Sequence, residues 1–169
     1  MRSTALLRIP VGIVVERRTA RNPWTEFVWR PASVLAELPA VPAGNLIGTE
    51  GDTALFYAGE AVIELHRTET ANYRANLASG APKVWVVLRP AASRPGYDLA
   101  AVTADPAEGE ALTDAGGDLV ETVAMPAGIA ATIDQFIARH HVEQPFVKRH
   151  RTRPPRASGP CGDEPEKLQ

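Results

Sequence analysis

DTALFYAGEAVIELHR, residues 52–67, carries the pattern on which the fold turns. In its second half Ala61, Ile63 and Leu65 alternate with Glu60, Glu64 and His66. One face is apolar and the other polar, as in a half-solvated antiparallel strand. Ala54 to Tyr57 predicts a first arm and Ala58 with Gly59 a tight turn, so the segment is expected to be a hairpin. Upstream, LLRIPVGIVVERR (6–18) places Ile9, Val11, Ile13 and Val15 on one face of a first strand, with Arg8, Glu16 and Arg18 marking the other. NPWTEFVWRP (22–31) predicts a second strand from Thr25 to Arg30 in which Phe27 and Trp29 share a face and Trp24 falls on the opposite one. Trp29 with Phe27 reads as core; Trp24 at the strand entrance can pack under a loop or offer a partner contact. PASVLAELPAVPAG (31–44) predicts a short helical turn at Ser33–Leu38 capped by Ser33, and Asn45–Thr49 a third strand.

Downstream the elements change character. ETANYRANLASGAP (69–82) predicts a short helix begun by Thr68 or Thr70 and stopped by Gly80 and Pro82. The unbroken apolar run in KVWVVLRP (83–90) predicts a strand covered on both faces, with Trp85 in the core. A turn at Pro95 and Gly96 leads into a strand from Tyr97 to Thr103. Asp105, Pro106 and Glu108 form a capping-box-like helix start, with Glu108 expected to reach back, and Gly116 and Gly117 end that helix. DLVETVAMP (118–126) predicts a short strand. Ile129, Ile133, Phe136, Ile137 and His140 then mark the apolar stripe of a helix opened by Pro126. The expected fold is α+β: about six or seven mostly antiparallel strands in one bent sheet, packed by this C-terminal amphipathic helix.

A chain of 169 residues with 44% hydrophobic and 22% charged residues has globular composition and is expected to form one domain over 1–147. No apolar run reaches the roughly 18 residues of a membrane span, so no membrane contact and a cytoplasmic location are expected. Cys161 is the only cysteine; it excludes an internal disulfide and a thiolate-rich metal site. Adjacent His140 and His141 cannot both face one metal from a regular helix and read as cations at a helix C-terminus. The spacing of Asp105, Glu108, Glu110, Asp114 and Asp118 misses that of a calcium loop. PVGIVVERR offers one glycine inside a strand, AGGD ends a helix, and Lys83 is the only lysine before residue 148, so no phosphate-cradling loop is expected. No cofactor, metal or catalytic residue is assigned.

Charge is unevenly placed. Residues 1–147 hold 12 basic and 17 acidic residues, a net of −5, whereas KRHRTRPPR (148–156) carries +5. Residues 148–169 form a basic, Pro/Gly-rich tail expected to be disordered in isolation. The tail can dock on an acidic protein surface, contact phosphates of nucleic acid, or simply solubilise the chain.

Taken in order, VGIVVERR (11–18), NPWTEFVWRP (22–31), ETANYRANL (69–77), KVWVVLRP (83–90), VTADPAEGEALTDAGGDLVETVAMP (102–126) and the helix leading into HHVEQPFVKRHR (140–151) resemble a small, uncharacterised bacterial family, domain of unknown function 3305. Its members are typically encoded near molybdenum- or tungsten-dependent formate dehydrogenases, and some carry a label for molybdopterin guanine dinucleotide biosynthesis. The resemblance implies an accessory role around that enzyme and supplies no catalytic residues. The expected function is therefore a non-enzymatic accessory or assembly protein that binds a partner protein, a formate dehydrogenase subunit. The contacts expected are Trp24, Phe146, Lys148, Arg149, Arg151 and Arg153. The alternatives are a small enzyme of molybdenum-cofactor maturation, signalled by a deep polar pocket holding a carboxylate with His66 or Arg74, and nucleic-acid binding through the tail.

Overall fold

The computed structural model describes residues 4–92 and 95–142. Along them run β1 (Leu7–Thr19), β2 (Phe27–Leu35), β3 (Leu46–Glu50), β4 (Thr53–Leu65), α1 (Thr70–Ala78), β5 (Lys83–Pro90), β6 (Tyr97–Thr103), α2 (Pro106–Asp114), β7 (Leu119–Ala124) and α3 (Ala127–His140). The class is mixed α+β, and all strand pairings among the described residues are antiparallel. The expected single bent sheet is instead two sheets, ordered β2-β1-β4-β3 and β6-β5-β7. No ladder joins an edge strand of the first sheet, β2 or β3, to an edge strand of the second, β6 or β7; the two sheets meet instead by sharing one core cluster, with Trp29 of β2 packed on Tyr97 of β6.

The segment read as a hairpin is one strand. β4 continues through Ala58 and Gly59, pairing with β1 on both sides of them, and Ala58 is the residue left out of register. Gly59 has φ +126°, which a turn or a bulge can equally use. The true reversal lies earlier, at Gly51 and Asp52, where Glu50 pairs with Thr53 across the β3–β4 turn. The bulge also switches the strand's faces: Ala61, Ile63 and Leu65 line the core after it, Phe56 and Ala58 before it.

A second correction has the same cause. The helical turn expected at Ser33–Leu38 is absent; Ser33, Val34 and Leu35 extend β2 and pair with Val14, Ile13 and Gly12. Pro31 does not end the strand, because β2 lies at the edge of its sheet and the register slips beside it, with Ala32 as the extra residue. β1 keeps its period throughout. Ile9, Val11, Ile13 and Val15 all belong to the core, and exposed Arg8 pairs with Glu64 on the facing strand at 3.1 Å. The opposite face of β1 is covered locally: Gly12 lies beneath Tyr57, Pro39 and Leu35, so close that a Cβ would stand 3.1 Å from the tyrosine ring.

The core joins both sheets and the helices. Val84, Val86 and Leu88 of β5, Tyr73 of α1 and Ile129, Ile133, Phe136 and Ile137 of α3 share one cluster with Val11, Ile13, Ile63 and Leu65. Val87 is buried on the other face of β5, as expected of a strand covered on both sides. Trp85 is half-buried and lies against Gly109 of α2. Asp105 caps α2 by accepting from the Ala107 and Glu108 amides. Glu108 does not reach back to the Asp105 amide as a capping box would; its carboxylate takes the Thr103 hydroxyl, and that hydroxyl oxygen receives the Asp105 amide.

Asn76 ties α1 to the three-stranded sheet. From the buried face of α1 its side-chain amide donates to the carbonyls of Lys83 and Ala104, each at 2.8 Å, and its oxygen accepts the Lys83 amide at 2.9 Å. One side chain thus satisfies the start of β5 and the segment after β6, backbone groups that no ladder reaches. Arg30 of β2 donates to Glu121 of β7 at 2.8 Å and links the sheets at their rim.

Candidate functional site

Two surface features stand out. The first is the tip of the β1–β2 hairpin, built by its own hydrogen bonds. The Ala20 amide donates to the Glu26 carbonyl at 3.0 Å, closing the loop. Within it the Asn22 side-chain oxygen accepts the amides of Trp24 and Thr25 at 3.1 and 3.0 Å, an Asx arrangement that holds residues 22–25 without help from the core. Trp24 projects from this turn with 91% of its surface exposed. It does not pack under a loop.

Trp29 has a different environment. Its ring meets Phe56 at 5.3 Å and Tyr97 at 5.0 Å, tying β2 to β4 and β6. Arg17 covers the base of the hairpin, its guanidinium 4.3 Å from the Phe27 ring centre and 5.0 Å from that of Phe56. The two tryptophans of NPWTEFVWRP therefore do separate things: Trp29 is a half-buried packing residue, and Trp24 is a large apolar side chain left in water.

The second feature is an open cleft of about 1060 Å³ between α1 and the end of α3. Arg67, Ala71, Arg74, Ala75 and Ala78 recur on one stripe of α1 and the turn before it, and form one wall; His140, His141 and Val142 form the other. The alanines create the space, because no side chain beyond Cβ fills it. His141 closes α3, its amide donating to the Ile137 carbonyl at 2.8 Å. Its ring bridges back to α1, with Nδ1 3.0 Å from the Thr70 hydroxyl and Nε2 3.4 Å from an Arg74 guanidinium nitrogen. Since Arg74 can only donate, Nε2 accepts and Nδ1 carries the hydrogen toward Thr70, whose hydroxyl continues to the Arg67 carbonyl. His140 lies against Phe136, ring centres 4.6 Å apart.

Of the residues singled out for chemistry, Arg74 lines this cleft and His66 does not; the His66 amide instead donates to the Tyr73 hydroxyl at 3.0 Å. No carboxylate lines the cleft among the described residues. Burial pushes the Tyr73 phenol up to about 12 and holds it as a neutral hydroxyl. The acidic residues near α2 serve structure: Asp105 also receives the Asn72 amide at 3.1 Å, and Asp118 pairs with Arg89 at 3.0 Å. The Arg89 hydrogen bond lowers the Asp118 carboxyl below its usual value. Among the described residues no three His, Cys, Asp or Glu side chains converge as a metal site would require, and no helix is long and apolar enough to cross a membrane. Phe146, Lys148, Arg149, Arg151 and Arg153, and the domain boundary placed at 147, lie outside the described residues.

The cleft was not anticipated. Its only signal is the spacing of Arg67, Ala71, Arg74, Ala75 and Ala78, in a helix polar apart from Tyr73 and Leu77. The Asx turn did have a signal, the Asn-Pro dipeptide at 22–23.

No curated protein and no solved structure matches the chain. Among family descriptions, Protein of unknown function (DUF3305) matches residues 10–150, which takes in both sheets, the hairpin tip and the cleft. The chain belongs to the DUF3305 family.

Proposed function

We propose that this protein is a non-enzymatic accessory or assembly factor that binds a partner protein, and that the partner is a molybdenum- or tungsten-dependent formate dehydrogenase. The observation that carries the binding role is Trp24, 91% exposed on a turn that fixes itself. A tryptophan on a rigid tip loses little freedom when it docks, and buried indoles are among the commonest dominant contacts of protein interfaces. The formate dehydrogenase assignment rests on the resemblance drawn from the ordered motifs at 11–18, 22–31, 69–77, 83–90 and 102–126. Phe146, Lys148, Arg149, Arg151 and Arg153 would supply the second contact, against an acidic surface.

The test is binding of the purified full chain to a purified formate dehydrogenase, followed by biosensor. Trp24→Ala is expected to weaken binding about 30-fold, the equivalent of roughly 2 kcal/mol for a central interface aromatic. Neutralising the five basic residues of 148–156 should slow association and flatten its salt dependence. An unchanged dissociation constant for Trp24→Ala refutes the role of the tip. If the tail instead confers duplex-DNA binding that falls steeply with salt, the tail's partner is nucleic acid.

A further inference from the structure

We propose that the outer edge of β3 takes up an extended segment of the partner protein, aliphatic with a basic end, as a further strand of the four-stranded sheet. The inference rests on the partner-binding reading above and names how that partner is held. β3 pairs only with β4, and among the described residues no hydrogen bond outside that ladder reaches residues 46–50. The turn decides which groups are left over. Gly51, at φ +56°, and Asp52 connect the strands as a two-residue turn, a form in which the flanking pair, Glu50 and Thr53, is the hydrogen-bonded one. The next pair, Thr49 with Ala54, is therefore not, and the Thr49 N–H and C=O point away from β4. β3 has neither proline nor lysine to blunt its edge, whereas β2 at the opposite edge carries Pro31 and is tied to β7 through Arg30 and Glu121.

Side chains and charge specify the occupant. At one end of β3, beside its bulge, Leu46 and Ile47 are 56% and 44% exposed. At the other, Glu50 and Asp52 are exposed, and neither pairs with a cation among the described residues. An antiparallel segment with Lys or Arg opposite Glu50 and aliphatic residues opposite Leu46 and Ile47 complements both ends. A second copy of this chain does not. Two-fold pairing centred on Gly48 sets Glu50 beside Leu46, and a five-residue strand buries far less than the roughly 800 Å² per partner of a stable interface. Position agrees with a shared partner: Glu50 pairs with Thr53 and Thr53 with Arg18, so the end of β3 lies two strand spacings, roughly 10 Å, from the strand that runs into the Trp24 tip.

The experiment is fluorescence-anisotropy titration of the full chain with the labelled peptide Lys-Thr-Val-Ile-Val-Thr, with the same peptide begun by Glu, and with the first peptide N-methylated at every second amide in either phase. Saturable binding is expected, the Lys peptide tighter than the Glu peptide by about fivefold. One methylated phase should bind and the other should not, because only alternate amides of an added strand face β3. Thr49→Pro, which removes the outward N–H, should abolish binding, with circular dichroism as the check on folding. Glu50→Lys, a surface exchange that leaves the backbone alone, should reverse the order of the Lys and Glu peptides. Absence of saturable binding, equal behaviour of the two methylated phases, or an unchanged order in Glu50→Lys overturns the proposal. A dimer in sedimentation equilibrium that Thr49→Pro dissolves assigns the edge to a second copy and overturns it as well. Trp24→Ala should bind the peptide like the parent chain, so failure at the tip and failure at the edge are read separately.

Discussion

Gly109→Ala is the sharpest test of the packing between α2 and the three-stranded sheet. Built on the existing backbone, the new methyl carbon would stand 2.3, 2.4 and 2.5 Å from Trp85 Cγ, Cδ1 and Cδ2. Carbon atoms pack best at about 3.5–4.0 Å, so the overlap exceeds 1 Å against three atoms of one rigid ring. Neither side yields easily. Trp85 sits mid-strand, paired with Thr103 on one side and Thr122 on the other. The helix is fixed at its start by Asp105 on the Ala107 amide at 2.8 Å and by the Thr103–Glu108 contact. Overpacking of this kind costs about 1–3 kcal/mol, while replacing glycine by alanine inside a helix returns about 1 kcal/mol. The rigid neighbour places this case at the upper end, for a net loss of about 2 kcal/mol. Urea denaturation followed by far-ultraviolet circular dichroism should show a lower midpoint with an unchanged slope. Gly128→Ala in α3 is the control, because its Cβ would meet only Ala36 Cβ at 3.9 Å, an ordinary contact. It should gain about 0.5–1 kcal/mol. If Gly109→Ala is as stable as the parent, α2 does not lie on Trp85 as described. A Trp85→Leu partner that rescues Gly109→Ala would confirm the coupling between the two positions.

Asn76→Ala should cost about 2–3 kcal/mol, since it strands the buried Ala104 carbonyl and the partly buried Lys83 amide and carbonyl; a loss under about 1 kcal/mol would show that other groups satisfy them. All three tyrosines are shifted upward by burial, Tyr73 to about 12. A phenol whose folded value lies above its unfolded one adds stability that is complete below about pH 10 and is lost as pH rises toward 12. Phenolate absorbance should therefore stay low through pH 10 and rise with unfolding, and a normal titration of one tyrosine in the folded chain would contradict its burial. Asp118, lowered from 3.8 by Arg89, works in the opposite sense: its contribution is present above about pH 4 and disappears as pH falls through its depressed folded value. The stability difference between the parent and Arg89→Gln should accordingly vanish in acid, and a pH-independent difference would refute the pairing.

Legibility in the sequence followed the regularity of the period. β1 could be read residue by residue, because Ile9, Val11, Ile13 and Val15 never leave their face, and β5 was legible as a strand covered on both faces, although Trp85, expected in the core, is only half-buried against α2. α2 and α3 announced themselves through Asp105–Pro106 and the Ile129–Ile137 stripe. β2 and β4 were misread at the points where a bulge adds one residue and inverts the alternation, at Ala32 and Ala58. A period-two pattern that changes phase looks like two short elements with a turn between them, and a glycine at the phase change deepens the illusion. The division into two sheets could not be read, because it depends on which ladder edges are taken. Asn76 left no mark either: an asparagine in a polar helix looks solvated until the strands it caps are in place.

Those two bulges bear on the candidate partner-binding surface. On β1 the register shift toward β4 falls between Ile13 and Val14, and the shift toward β2 between Val14 and Val15. Both neighbours thus take up an extra residue at the same level of one strand. A bulge bends its strand and strengthens the local twist. Beyond the bulges run Val15 to Thr19 and Phe27 to Pro31, still paired through β1 with Thr53 to Phe56 of β4 and braced by Arg17 on Phe27 and Phe56 and by Trp29 on Tyr97. Trp24 rides at its end on a turn held by Asn22. Its exposure follows from a self-sufficient turn at the end of the hairpin, which does not depend on the hydrophobicity of residue 24 itself. An indole stays in water here because the backbone beneath it is already satisfied and the aromatic packing is completed lower down by Trp29.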